Sequence, residues 1–365
     1  EFDEGLIDDK LQPLLNRNNI AAQIIQEDIL DVIPYKKQTF NFSIPVEFTW
    51  TNMLKNCMTP EPTKSSRFDV GWADTIGRRP TMEDKLLIMG DFDGQQDTDL
   101  FCVFDGHGGK QVADYLGMTF ATAFRCKLEE CDGDVLQAYR KTYWEIDITM
   151  LHWAQYIGST ALTAFFKGNV LYMANAGDSR GVIRRGNKTY RISVDHKPTD
   201  TDELIRVQSV GGVVIDARVG GVLAVSRAFG DWFLHPSVIA DPCVNRIQLC
   251  NDDEFVILAC DGLWDVMTDE HATEFVEDFL NGTPDDESGE ETEVLHHKKK
   301  SRNFPARPWR GYGRRTFVPK WRKPTTLDAQ GAAEMLRAEA YKLGSMDNIS
   351  IIVILLKPKG WRATT

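Results

Sequence analysis

Three carboxylates stand where a carboxylate is costly. Asp105 follows the apolar run Leu100-Phe101-Cys102-Val103-Phe104 and precedes Gly106-His107-Gly108-Gly109. Asp261 follows Phe255-Val256-Ile257-Leu258-Ala259-Cys260 and precedes Gly262. Asp347 follows Gly344-Ser345-Met346 and precedes Asn348 and the run from Ile349 to Leu356. Each run reads as a buried strand with an acid at its end. A charge in such a place is tolerated when it is paired or holds a metal. Three strand ends converging would make an oxygen-only site, suited to Mg²⁺ or Mn²⁺ rather than zinc. Taken singly, each Asp also fits a turn, because Asp before Gly or Asn can hydrogen-bond its own backbone. The turn reading accounts poorly for all three together with Glu83-Asp84.

Two further groups would suit phosphate chemistry. Arg79-Pro80-Thr81-Met82-Glu83-Asp84 sets a fixed cation just before a carboxylate pair. An Arg fork matches phosphate oxygens, although a surface ion pair explains the segment equally well. His107 would sit beside any metal held by Asp105 and is a natural acid for a departing alkoxide. A turn or capping role is the equal alternative for it. No Cys is followed six positions later by Arg, and no Asp-x-Asp-x-Thr/Val occurs. Covalent cysteinyl- and aspartyl-phosphate routes therefore have no support in the sequence.

The elements that must position these groups are short. Strands are expected at 85–91, 100–104, 159–166, 169–176, 181–185, 254–260 and 348–356. Helices are expected at 109–127, 133–156, 199–210, 269–280 and 327–343. Gly211-Gly212 and Gly344 are stop signals for two of them. Hairpins are signalled at Lys167-Gly168-Asn169 and Arg185-Gly186-Asn187-Lys188. Hairpins with a few long helices point to an α+β protein with antiparallel sheets rather than βαβ units.

Two regions differ in texture. Residues 1–66 read as an extension: Ile20, Ile24, Ile25, Ile29, Val32 and Ile33 recur at helical spacing until Pro34, and 58–66 reads as a linker. That amphipathic helix is expected to pack on the main domain. Residues 283–325 carry an acidic run and then a basic stretch, 298–323, with eleven Lys or Arg and no acid. This reads as a loosely held insertion, or as a docking element for an import receptor or an acidic partner.

The ordered pieces together resemble a known family. Arg79-Pro80-Thr81-Met82-Glu83-Asp84, Asp105-Gly106-His107-Gly108-Gly109, Gly158-Ser159-Thr160-Ala161, Asn175-Ala176-Gly177-Asp178-Ser179-Arg180, Asp195-His196-Lys197-Pro198, Ala224-Val225-Ser226-Arg227-Ala228-Phe229-Gly230-Asp231, Ala259-Cys260-Asp261-Gly262-Leu263-Trp264-Asp265 and Asp347-Asn348 occur in one order. That order is similar to the signature of the metal-dependent type-2C serine/threonine protein phosphatases, over about 68–282 and 327–357. The resemblance implies an α+β sandwich of two antiparallel β-sheets flanked by α-helices, layered α-β-β-α, with a dinuclear metal site at one end. It implies a catalytic domain at 67–357, interrupted at 283–325, with a tail at 358–365.

The resemblance also assigns roles. Asp105 would bridge two Mn²⁺ or Mg²⁺ ions. Asp261 and Asp347 would complete one ion's protein ligands, and Glu83 with the Gly106 carbonyl would serve the other. Asp84 would orient metal-bound waters, and Asp178 with Asp265 would hold a weaker third ion. Arg79 would clamp the phosphate and His107 would protonate the leaving Ser or Thr oxygen. The implied reaction is hydrolysis of phosphoserine and phosphothreonine proteins by a hydroxide bridging the two ions. A catalytically silent scaffold of the same fold is the rival reading, weakened by the complete set of acids. Thr199-Asp200-Thr201-Asp202-Glu203 is more acidic than the family leads one to expect, and would either cap a helix or favour basic substrates.

Composition bounds the rest. The 365 residues include 42 Lys or Arg and 54 Asp or Glu, for a net charge of −12. Without the basic stretch the remainder has 31 basic and 54 acidic residues, or −23, so a dedicated nucleic-acid binder is not expected. The seven cysteines form no C-x-x-C pair and read as free thiols of a reducing compartment, cytoplasmic and/or nuclear. No run is long enough to cross a membrane, and a monomer is expected. The chain starts at Glu1, which leaves room for an upstream targeting segment.

Overall fold

Strand-period burial on both faces organises the molecule. A computed structural model describes residues 60–282 and 327–356. The expected helix at 20–33, the 283–325 insertion and the 358–365 tail lie outside the described residues. In chain order the strands are β1 (Asp69–Thr75), β2 (Lys85–Met89), β3 (Thr98–Phe104), β4 (Gly106–His107), β5 (Gly158–Ser159), β6 (Ala161–Lys167), β7 (Val170–Ala176), β8 (Arg180–Arg185), β9 (Lys188–Arg191), β10 (Val214–Ile215), β11 (Arg218–Val219), β12 (Phe229–Gly230), β13 (Cys243–Gln248), β14 (Asp253–Ala259) and β15 (Ile349–Leu355). The helices are α1 (Gln111–Glu130), α2 (Val135–Thr149), α3 (Thr201–Ser209), the single turn α4 (Asp261–Trp264), α5 (Asp269–Asn281) and α6 (Ala329–Leu343).

Two five-stranded sheets carry the fold. One has the order β13-β7-β6-β3-β2 and the other β1-β15-β14-β8-β9. Every neighbouring pair within them is antiparallel. In β3, Leu100, Cys102 and Phe104 face α1 and α2, while Phe101 and Val103 face the second sheet. In β14, Val256 and Leu258, with Cys260 just after the strand, face the first sheet, while Phe255, Ile257 and Ala259 face α5 and α6. This alternation is why such runs are continuously apolar: each strand lies between another sheet and a helical layer. The layers are α-β-β-α, as expected.

The helices begin and end on local signals. Asp134 caps α2 by accepting from the Leu136 and Gln137 amides, and Asp328 caps α6 through the Gly331 amide. Gly344 closes α6 in the left-handed conformation at φ 104°. Two expected boundaries move. The helix expected over 133–156 stops at Thr149, where the Met150 and Leu151 amides turn back onto the Asp147 and Ile148 carbonyls; farther on, the Ala154, Gln155 and Ile157 carbonyls accept from Trp232, Phe233 and Asp231. The strand expected over 159–166 is split at Thr160. There Thr160 exchanges hydrogen bonds with Asp105: its amide donates to the Asp105 carbonyl at 2.9 Å and its hydroxyl accepts from the Asp105 amide at 3.3 Å.

Candidate active site at one end of the sandwich

Antiparallel pairing decides where the carboxylates meet. In the first sheet Lys85 pairs with Phe104, so the segment entering β2 and the exit of β3 lie together. In the second, Ala259 pairs with both Ile351 and Arg180, so the exit of β14 lies beside the starts of β15 and β8. Glu83-Asp84, Asp105, Asp178, Asp261 and Asp347 all sit at these ends, and Asp265 follows α4.

Within that set, oxygens of Asp105, Asp178 and Asp261 lie within 4.8 Å of one another. Asp84, Asp105 and the Cys260 sulfur form a second such group sharing Asp105. The electrostatics record the crowding. Burial and the charges of Asp84, Asp261, Asp178 and Asp347 push Asp105 well above the ordinary carboxylate range. Burial with the charges of Asp178, Asp265 and Asp347 lifts Asp261 to about 8, against a smaller opposing pull from Lys197. Burial lifts Asp84 to about 6, and its Oδ2 has no hydrogen-bond partner among the described residues. Burial also raises Asp265.

Clustered acids that repel one another and leave an oxygen unpartnered suit a divalent cation with oxygen ligands. These residues therefore fit the metal that the sequence implies. The Cys260 thiol is pushed well up by burial, and its sulfur accepts from the Ser350 amide at 3.2 Å. A protonated thiol is a poor ligand for a hard ion.

The remaining expected residues stand around this group. Asp347 Oδ2 accepts from Arg79 at 2.5 Å, which raises the Arg79 pKa, and over half of the Arg79 side chain is exposed. Glu83 Oε1 accepts from Thr81 at 2.8 Å and its Oε2 from the Gly109 amide at 3.2 Å. Gly106 opens β4 opposite Ser159. His107 Nε2 lies 2.6 Å from Asp231 Oδ2. Burial disfavours the imidazolium, yet this hydrogen bond and the Asp231 charge raise its pKa.

Four residues of the quoted motifs play parts in the site that their local sequence does not announce. Asp231 is buried, sits in the left-handed region at φ 49°, and sets the His107 ring. Gly158 makes room for the pair, since a Cβ there would lie 2.1 Å from Asp231 Oδ2 and 2.5 Å from His107 Nε2. Asn348 is buried and ties the metal-side loop together: it donates to the Ile76 and Thr81 carbonyls at 2.9 Å each and accepts from the Glu83 amide at 2.8 Å. Lys197 donates to Asp178 Oδ2. The signal for Asp231 was its place after Gly230, but its partner lies 124 residues away in the chain.

The acidic segment 199–203 reads differently in space. Asp200 occupies the N-cap position of α3, but its carboxylate accepts from the Lys197 amide rather than from the helix. Glu203 is buried and accepts from Arg227 at 2.6 Å, Arg206 at 2.9 Å and Ser226 at 2.7 Å. It is therefore not an acid offered to basic substrates. Six cysteines fall within the described residues, and all are free. No helix among the described residues is long and apolar enough to cross a membrane.

Comparison with known proteins bears on the family and the fold. A sequence model described as "Protein phosphatase 2C" matches residues 68–296. "Protein phosphatase 2C 56" of Arabidopsis thaliana is 37% identical over 318 residues, covering 79% of this chain and 68% of that protein. "Protein phosphatase 2C homolog 1" of Schizosaccharomyces pombe is 38% identical over 232 residues, covering 60% of this chain and 67% of that one. Among solved structures, a sex-determining protein of C. elegans superposes with a TM-score of 0.64 at 24% identity, covering 81% of this chain and 66% of that chain. A serine-threonine phosphatase 2C of Toxoplasma gondii gives 0.60 at 22% identity, covering 82% and 98%. At these identities the two structures speak to the fold alone.

Proposed function

Because this chain belongs to the protein phosphatase 2C family, we propose that it hydrolyses phosphoserine and phosphothreonine in proteins with two bound Mn²⁺ or Mg²⁺ ions. The observation that carries the proposal is the shared position of Asp105, within 4.8 Å of Asp178 and Asp261 on one side and of Asp84 on the other. A carboxylate common to two groups is the natural bridge between two ions. When bound, the ions supply an activated water and neutralise phosphate charge. Asp105, Asp261 and Asp347 would hold one ion, and Asp105, Glu83 and the Gly106 carbonyl the other, with Asp84 placed to orient water there. Asp178 already receives the Lys197 ammonium, so a weaker third ion at Asp178 and Asp265 competes with a tethered cation.

The chain's own groups do the rest. Asp347 fixes one nitrogen of Arg79, and the exposed remainder of the guanidinium binds peripheral phosphate oxygens. Asp231 accepts the Nε2 proton of the His107 imidazolium and favours that charged form, whose Nδ1 proton passes to the departing Ser or Thr oxygen and leaves a neutral imidazole. Proton delivery matters because the phosphoryl transition state is loose and charge builds on the leaving oxygen. Asp105→Ala is the test. It is expected to abolish Mn²⁺-dependent hydrolysis of a phosphothreonine peptide while the circular dichroism spectrum is kept. Metal-dependent turnover by the purified variant would overturn the assignment.

A further inference from the structure

We propose that Tyr156 and Phe233 form an aromatic clamp for an apolar side chain of the substrate polypeptide, within a few residues of the phosphorylated Ser or Thr. The inference rests on the phosphatase reading above and adds to it a substrate preference. Tyr156 is 72% exposed and Phe233 57% exposed, yet their rings meet with centroids 4.9 Å apart. Two large rings held together in water are unusual unless a ligand covers them.

Their exposure is built into the backbone. Phe233 belongs to the helical turn Trp232–Leu234. Trp232 stacks on His235 at 3.9 Å and donates its indole N–H to the Asp147 carbonyl. Leu234 packs against the small core of Val207, Val219, Val225, Ala228 and Val238. With both neighbours anchored, Phe233 is the ring turned outward. The Phe233 amide donates to the Gln155 carbonyl at 3.0 Å, which sets it beside Tyr156.

Position says what covers the pair. Asp231, which holds His107, lies two residues before Phe233. Gly158, under the His107–Asp231 contact, lies two residues after Tyr156. The Tyr156 carbonyl lies 2.6 Å from where a Cβ would stand on Gly108, next to His107. His107 protonates the leaving oxygen, so the polypeptide bearing that oxygen must leave the cleft on the His107 side. An extended chain advances roughly 3.3–3.6 Å per residue, so a side chain close in sequence to the phosphorylated one is the one placed to meet the rings. Aromatic faces of this kind favour apolar side chains.

The test uses the full chain with Mn²⁺ and phosphothreonine peptides carrying Leu, Ala or Lys at each of the three positions on either side. Leu at one of these positions is expected to raise kcat/KM about tenfold over Ala, mainly through KM. The Tyr156→Ala/Phe233→Ala double variant is expected to reduce that ratio to near one. Wild-type enzyme that hydrolyses p-nitrophenyl phosphate but shows no Leu preference overturns the clamp alone. So does a preference for Lys over Leu, or a Leu preference that the double variant keeps. Wild-type enzyme inert on every phosphate ester overturns the phosphatase reading, and the clamp with it.

Discussion

Replacing Asp231 with Asn tests the proton-delivery arrangement with little disturbance of shape. Asn is isosteric and tolerates the left-handed backbone that Asp231 adopts at φ 49°. The 2.6 Å contact with His107 Nε2 is a charge-assisted hydrogen bond to a carboxylate that is only 7% exposed. Such a bond contributes about 1.5–3 kcal/mol, which corresponds to roughly 10- to 150-fold in rate if it acts in the transition state. The expected result is a loss of that size in kcat for a phosphothreonine peptide, whose alkoxide leaving group needs a proton. The loss on p-nitrophenyl phosphate should be much smaller, since its phenolate leaves readily without one. In a His107→Ala background, Asp231→Asn should cost little more, because the two residues act as one unit. A loss below about threefold on the peptide, or equal losses on both substrates, would refute the reasoning.

Other outcomes can be checked in the same preparation. Glu203 is held down to about 2: burial opposes this, but Arg227, Arg206 and Ser226 outweigh it. Its folded-state pKa lies below the unfolded value, so its stabilisation of about 3 kcal/mol is present above pH ~4.5 and is lost as pH falls toward 2. Urea unfolding of wild type and Glu203→Gln should therefore show a gap at pH 6 that narrows below pH 4; a gap independent of pH would contradict the sign. Asn348→Ala removes three hydrogen bonds of 2.8–2.9 Å from a buried site. It should lower the melting temperature by roughly 5–10 °C and weaken Mn²⁺ activation, because the Glu83 amide loses its anchor. A variant with unchanged metal dependence would remove Asn348 from the support of the site.

Much of the scaffold was legible because its strands are buried on both faces and so announce themselves as apolar runs. What escaped was weakly patterned. Strand β1, Asp-Val-Gly-Trp-Ala-Asp-Thr, carries Gly71 in its middle. Gly is needed there because a Cβ would lie 2.1 Å from the Ala329 backbone at the start of α6. Strand β13 lies at a sheet edge with alternating exposure and polar residues, so it makes no continuous run. The helix expected through 156 ended at Thr149, and the segment after it is tied instead to residues 231–233, a long-range pairing that no local pattern shows.

The sequence by itself was enough for the family: the order of the short motifs indicated it, and the acids at the ends of buried runs raised the expectation of a cation site. Tertiary structure decided which acids share space and which merely stand near. Strand register placed Asp105 between the Asp178–Asp261 group and the Asp84–Cys260 group and joined His107 to Asp231 across 124 residues, while packing of helix α3 set Glu203 against Arg227. Local sequence reports backbone preference and burial. A contact between distant residues depends on pairing register and layer packing, and no short stretch of sequence carries that information.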